Sequence, residues 1–154
     1  MIQNKRVIID CDPGIDDALA LMLAVASKDI EVCAVTVVCG NVPAAMGAAN
    51  AKLVLKLMGR EDIPVILGAE QPCSRPLVTA QDTHGMDGLG ETQWGEMAHK
   101  FYGTEAVSSE KNMAAAYIAK ALSDEPGLSV IALGPMTNIA AAMQMNCGAF
   151  KNIG

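Results

Sequence analysis

Four aspartates fall within eight residues near the start of the chain: Asp10, Asp12, Asp16 and Asp17, in the run IDCDPGIDD. Asp10 and Asp12 are two apart at the end of an apolar run, so on an extended backbone both side chains leave the same face. Asp16 and Asp17 follow a Pro-Gly turn, where a helix is expected to begin. Carboxylates this close repel one another strongly unless a cation or protons intervene. Hard divalent cations take oxygen ligands, and Ca2+ tolerates the irregular geometry and bidentate carboxylates that a turn provides. A helix cap at Asp16, a dipole partner at Asp17 and two solvated turn acids would explain any one of these residues. They explain all four together poorly.

The other polar candidates are scattered. His84 opens the glycine-rich stretch HGMDGLG, and imidazole titrates near neutral pH, which suits proton donation. A lone histidine in such a loop is more often a plain surface residue. His99 beside Lys100 reads as a solvated face. Asn41 after Gly40 is either a turn residue or a polar contact, and Thr137-Asn138 reads as a helix N-cap. Trp94 and Tyr102 suit either a ligand-flanking role or a lid packed on the core, and the methionines at helical spacing read as core.

These residues need elements to hold them. Arg6 to Asp10 is a short β-branched strand, and Asp16 to Ser27 is apolar almost all round, as in a buried helix. Ile30 to Cys39 is the strongest strand, closed by Gly40-Asn41. Pro43 opens a helix to about Met58, stopped by Gly59, and Pro64 to Leu67 is a third strand. Periodicity then disappears from Gly68 to about Ala106, which predicts a long lid or binding loop. A helix from Ser109 to Ser123, a strand from Leu128 to Leu133 and a helix from Thr137 to Met145 complete the chain. Strands alternating with helices imply right-handed βαβ units: an α/β fold with a mostly parallel sheet flanked by helices. The carboxyl ends of such strands are where ligands bind, which is where the acidic turn falls.

Composition narrows the partners. At 154 residues there is room for one ordinary domain, and 51% hydrophobic against 18% charged residues excludes extensive disorder. Aromatics are only 3% while Met reaches 10, so the core must be aliphatic. Net charge is −6 with no Lys/Arg cluster, which argues against nucleic acid and against an anionic membrane. Five cysteines without a Cys-x-x-Cys spacing are no disulfide scaffold and point to a reducing, cytoplasmic compartment. The longest apolar stretch, Ala18 to Ala26, is far short of a membrane span, and the opening apolar run breaks at Asp10, too soon for a signal peptide.

Two known acidic motifs match the turn only in part. An EF-hand loop needs Gly sixth and Glu twelfth, where Ile15 and Leu21 stand. Asp10-Cys11-Asp12 partly matches a haloacid-dehalogenase-type phosphatase, with Asp10 as nucleophile, but Gly14 stands where that family usually has Thr or Val. A far closer likeness is to the inosine-uridine-type nucleoside hydrolases: VIIDCDPGIDDALALMLA (Val7 to Ala24) resembles their N-terminal signature. VTVVCGN (Val35 to Asn41), HGMDGLG (His84 to Gly90) and ALGPMTNIA (Ala132 to Ala140) resemble three further pieces in the family's order.

The resemblance implies hydrolysis of the N-glycosidic bond of a ribonucleoside, with a bound Ca2+. It implies metal ligands at Asp12, Asp17 and the backbone carbonyl of Leu133, and a general base at Asp12. It further implies ribose contacts at Asp16 and Asn41, a supporting place behind the ligands for Asp10, and His84 near the nucleobase. The likeness covers only the N-terminal half of a family chain, which runs to roughly twice this length. Residues 1–154 thus correspond to half of such a domain, truncated, with the long loop at about 68–106. The other half would bring a further calcium Asp, a His, an Asn and a Glu, so activity of the half alone is in question. The alternative expectation is a non-catalytic remnant or oligomeric binding module with a partial calcium and ribose site. A parallel sheet cut midway exposes an edge and apolar helix faces, from which self-association is expected.

Overall fold

The computed structural model describes residues 4–103 and 112–152. Its centre is a four-stranded sheet in the order β3-β2-β1-β4, built from β1 (Lys5–Cys11), β2 (Ile30–Val37), β3 (Val65–Leu67) and β4 (Ser129–Ala132). All three pairings are parallel. Asp10 pairs in register with Thr36 on one side and Ala132 on the other, so the acidic turn leaves the middle of the sheet with a strand end on each flank.

Strand alternation decides which helices cover which face. Val7, Ile9 and Cys11 pack with Val35 and Val37 against α1 (Ile15–Ala26) and α2 (Ala44–Leu57). Ile8 and Ala34 face the other way, onto α5 (Met113–Asp124) and α6 (Thr137–Met145). The expected α/β architecture with a parallel sheet flanked by helices is what is observed. β2 and β4 are slightly shorter than the sequence suggests, ending at Val37 and Ala132, and β1 is longer by one residue at each end. The predicted start of the third expected helix, at Ser109, lies outside the described residues; Asn112 caps α5 by accepting from the Ala115 N–H.

Two expectations need correcting. The stretch 68–106 is not structureless: it holds the single turn α3 (Gln81–His84) and the ten-residue α4 (Gln93–Tyr102). Gly95 and Ala98 are the buried face of α4, and Ala98 and Tyr102 pack on Ala49 and Leu53 of α2. Periodicity hid this helix because its apolar stripe runs through a glycine and an alanine. The methionines are not uniformly core either, since Met113, Met136, Met143 and Met145 are exposed.

Apolar side chains also stand uncovered on α1, where Leu19 is 62% and Leu23 75% exposed, and beyond the β4 edge, where Leu133 is exposed beside Met136. Among the described residues no helix is long and apolar enough to cross a membrane.

Candidate active site

The acidic turn is packed into the protein rather than solvated. Asp10, Asp12 and Asp17 are 0%, 6% and 4% exposed, whereas Asp16 stands out in solvent. Among the described residues no lysine or arginine pairs with the three buried acids; neutral groups hold them instead.

Asn41 is the main holder. Its backbone N–H donates to Asp12 Oδ2 at 2.7 Å, and its side-chain Nδ2 donates to Asp17 Oδ2 at 3.0 Å. The Gly14 N–H donates a longer bond, 3.4 Å, to the same Asp17 oxygen. Asp12 is walled by glycines, because a Cβ at Gly40 would collide with its carboxylate and one at Gly134 would come within 2.8 Å of Oδ1. Leu133 immediately precedes Gly134, and its N–H donates to the Asp10 carbonyl at 2.8 Å.

Burial is the largest influence on all three acids. It pushes Asp12 up to about 6, against the Asn41 N–H bond, and the negative charge of Asp17 adds to the rise. Asp17 is raised by burial and by Asp16 and lowered by its bonds from Gly14 and Asn41. Asp10 is raised by burial against the lowering bonds from Asn138 and Thr36.

His84 joins the site across the sequence. Its Nδ1 accepts the Ile15 N–H at 3.2 Å and lies 3.7 Å from Asp16 Oδ1. An Nδ1 that accepts carries no proton, so the neutral ring bears its hydrogen on Nε2. Gly14 makes this approach possible: a Cβ there would meet His84 Nδ1 at 2.7 Å and Asn41 Nδ2 at 2.9 Å. Asn50, buried in α2, ties the two loops together by donating to the Pro13 carbonyl at 3.1 Å and the Asp87 carbonyl at 2.9 Å.

The structure therefore gathers Asp12, Asp17, Asn41, Asp16, His84 and Leu133 around one end of the sheet, with Asp10 behind them. Asp10 makes a poor nucleophile. It is fully buried, and Oδ1 takes the Thr36 hydroxyl at 2.6 Å and Asn138 Nδ2 at 2.9 Å. That removes the phosphatase alternative. The N-cap reading of Thr137-Asn138 is also corrected: Met136 occupies that position without a side-chain bond, and Asn138 is fully buried at the strand ends. Sequence reasoning missed Thr36, Asn50 and Asn138 as parts of the site; Thr36 and Asn138 fall inside the stretches VTVVCGN and ALGPMTNIA, which was the signal that could have found them, whereas Asn50 has none.

A cation suits these residues. Among the described residues, two buried carboxylates joined through a neutral amide have no compensating charge, and Asp10 Oδ2 is buried with no hydrogen-bond partner. No three His, Cys, Asp or Glu side chains among the described residues enclose an ion by themselves; Asp12 and Asp17 are the buried pair that could contribute to holding one.

The profile of the family described as inosine-uridine preferring nucleoside hydrolase matches residues 7–154. The chain is 42% identical to the pyrimidine-specific ribonucleoside hydrolase RihA of Photobacterium profundum over 89% of its own length and 42% of that protein's. It is 35% identical to the inosine-uridine preferring nucleoside hydrolase of Crithidia fasciculata, over 92% of its length and 43% of the relative's. Among solved structures, the plant nucleoside hydrolase PpNRh1 superimposes with a TM-score of 0.82 at 36% identity, covering 99% of this chain and 46% of that one. The chain spans about half the length of the curated relatives it matches.

Proposed function

Since the chain belongs to the inosine-uridine preferring nucleoside hydrolase family, we propose that it carries the carboxylate half of a site that hydrolyses the N-glycosidic bond of ribonucleosides to free base and ribose. Residues 1–154 then form the N-terminal half of a nucleoside-hydrolase-like α/β domain. The single observation supporting this most is the pairing of buried Asp12 and Asp17 through one asparagine, with no cationic side chain among the described residues to neutralise them.

Asp12, Asp17 and the Leu133 carbonyl would hold a Ca2+ ion, which supplies the charge that orients a ribose diol and acidifies a water molecule. The Asp12 carboxylate accepts the proton of the attacking water. Asp16, projecting into solvent, accepts a hydrogen bond from a ribose hydroxyl, and Asn41 borders the sugar while holding both ligands in place. As the C–N bond breaks, the sugar becomes oxocarbenium-like, and the clustered carboxylates stabilise its positive charge. His84 offers Nε2–H as a hydrogen-bond donor to the departing base, its Nδ1 being committed to the Ile15 N–H.

Five free cysteines suit a reducing, cytoplasmic setting, and the uncovered apolar side chains on α1 and beyond β4 suit self-association. The test is ribose release from inosine and uridine with Ca2+, run beside phosphate release from a phosphomonoester with Mg2+. Ribose release that Asp12→Ala abolishes is the expected result; phosphate release, or ribose release untouched by Asp12→Ala, refutes the assignment. A second reading, a non-catalytic module keeping a partial calcium and ribose site, is favoured by the incomplete ligand set among the described residues. Calorimetric Ca2+ binding that Asp17→Ala removes, with no turnover, would select it.

A further inference from the structure

We infer that Asn138 and Thr36 are positioning residues: through Asp10 they clamp the carboxyl ends of the four strands and so set the spacing of Asp12, Asn41 and Leu133. The inference rests on the reading of those residues as the substrate and metal site. Its geometry stands independently.

Asn138, the second residue of α6, reaches over the sheet with every polar atom of its side chain engaged. Nδ2 donates to Asp10 Oδ1 at 2.9 Å and to the Val37 carbonyl at 3.1 Å, while Oδ1 accepts the Ala69 N–H at 2.9 Å. One amide thus joins the end of β1, the end of β2 and the chain just past β3. Its orientation has no alternative, since a flipped amide would set a donor against the Ala69 N–H. Gly68 leaves the room for it, because a Cβ there would collide with the Asn138 amide. Thr36 adds the second tie, its hydroxyl donating to the same Asp10 oxygen at 2.6 Å across the β1–β2 register.

Asp10 passes this order on through its main chain. Its carbonyl accepts the N–H groups of Leu133 at 2.8 Å and Gly134 at 3.3 Å, which fixes β4's exit beside Asp12. Asp12 is two residues on, and its carboxylate lies between Gly40 and Gly134. A shift of Asp10 therefore moves Asp12, Leu133 and the Gly40-Asn41 turn relative to one another. Groups that orient ligating residues typically change metal affinity about ten- to a hundredfold when removed.

The test uses Thr36→Val, which keeps the branched shape and removes only the hydroxyl, Thr36→Ser, which restores the hydroxyl, and Asn138→Leu. Hydrogen exchange is followed at Leu133, Gly134 and Asn41, with Val35 in mid-β2 as reference, and Ca2+ affinity is measured by calorimetry. Protection at Leu133, Gly134 and Asn41 is expected to fall at least about tenfold in Thr36→Val while Val35 holds, with recovery in Thr36→Ser. Ca2+ affinity should follow the same order. Equal loss of protection at Val35, or none at the three site amides, overturns the positioning role even if Asn138→Leu fails to fold. Selective loss of protection in a chain that binds no Ca2+ upholds the clamp and refutes the metal reading instead.

Discussion

Replacing Asp12 by Asn should stabilise the protein at neutral pH while removing its affinity for a divalent cation. Burial raises the Asp12 carboxyl from an ordinary 3.8 to about 6. A raised carboxyl binds protons more tightly folded than unfolded, so stability is highest below the unfolded value and is lost as pH climbs through the folded one. The window is about pH 4 to 6.5, and the full difference is worth about 3 kcal/mol as an upper bound. Asp10 and Asp17 are raised for the same reason, so their contributions share this sign.

Asp12→Asn removes the charge without changing the shape. The introduced amide oxygen still accepts the Asn41 N–H, and its NH2 turns toward Asp17. The variant should therefore exceed the native chain by about 1–3 kcal/mol at pH 7.5 in EDTA, or about 2–10 °C in melting temperature. The gap should close by pH 4. Saturating Ca2+, at about a hundred times its dissociation constant, should raise the native chain by about 2.7 kcal/mol and leave the variant unmoved. Thermal melts at three pH values with EDTA or CaCl2 decide the matter. A variant less stable than the native chain at pH 7.5, or a gap that does not vary with pH, refutes the account of buried, uncompensated charge.

Two further outcomes follow from the same packing. Gly40→Ala drives a methyl into the Asp12 carboxylate; displacement of that side chain should cost about 1–3 kcal/mol in denaturant unfolding and weaken Ca2+ binding in titration. The uncovered leucines of α1 and the exposed side chains past β4 should make the chain associate in solution, and light scattering that finds a clean monomer at micromolar concentration would contradict this.

The fold was largely legible because its strands are short β-branched runs and its crossover helices are apolar, so period and punctuation agree. Legibility failed where the local signal is weak but the tertiary fit is strong. QWGEMAHKFY carries a glycine at the position that a helix stripe would fill with a large apolar residue. Gly95 is there because α4 lies directly on the Asp87 side chain, whose Oδ1 accepts the N–H groups of Leu89 and Glu91 to shape the preceding turn. Met143 and Met145 misled in the opposite sense: methionine on a helix reads as core, yet these two, set two apart and so on different faces of α6, are both exposed.

The candidate site was legible in its acids and in Asn41 and not in its remaining controls, and the reason is chemical. Aspartates clustered on one turn announce themselves by their mutual repulsion. The groups that hold them are asparagines and a threonine, residues that serve equally well in turns, caps and strands, and Asn138 stands 128 positions from the acid it binds. Neutral holders are nonetheless what the chemistry requires. A lysine or arginine in place of Asn41 would compensate Asp12 and Asp17 and hold their carboxyls in the ordinary range, but it would also occupy the charge that a divalent cation must meet. Amide donors order the carboxylates and leave their negative potential intact, at the cost of a fold that is less stable at neutral pH than its hydrophobic core alone would make it.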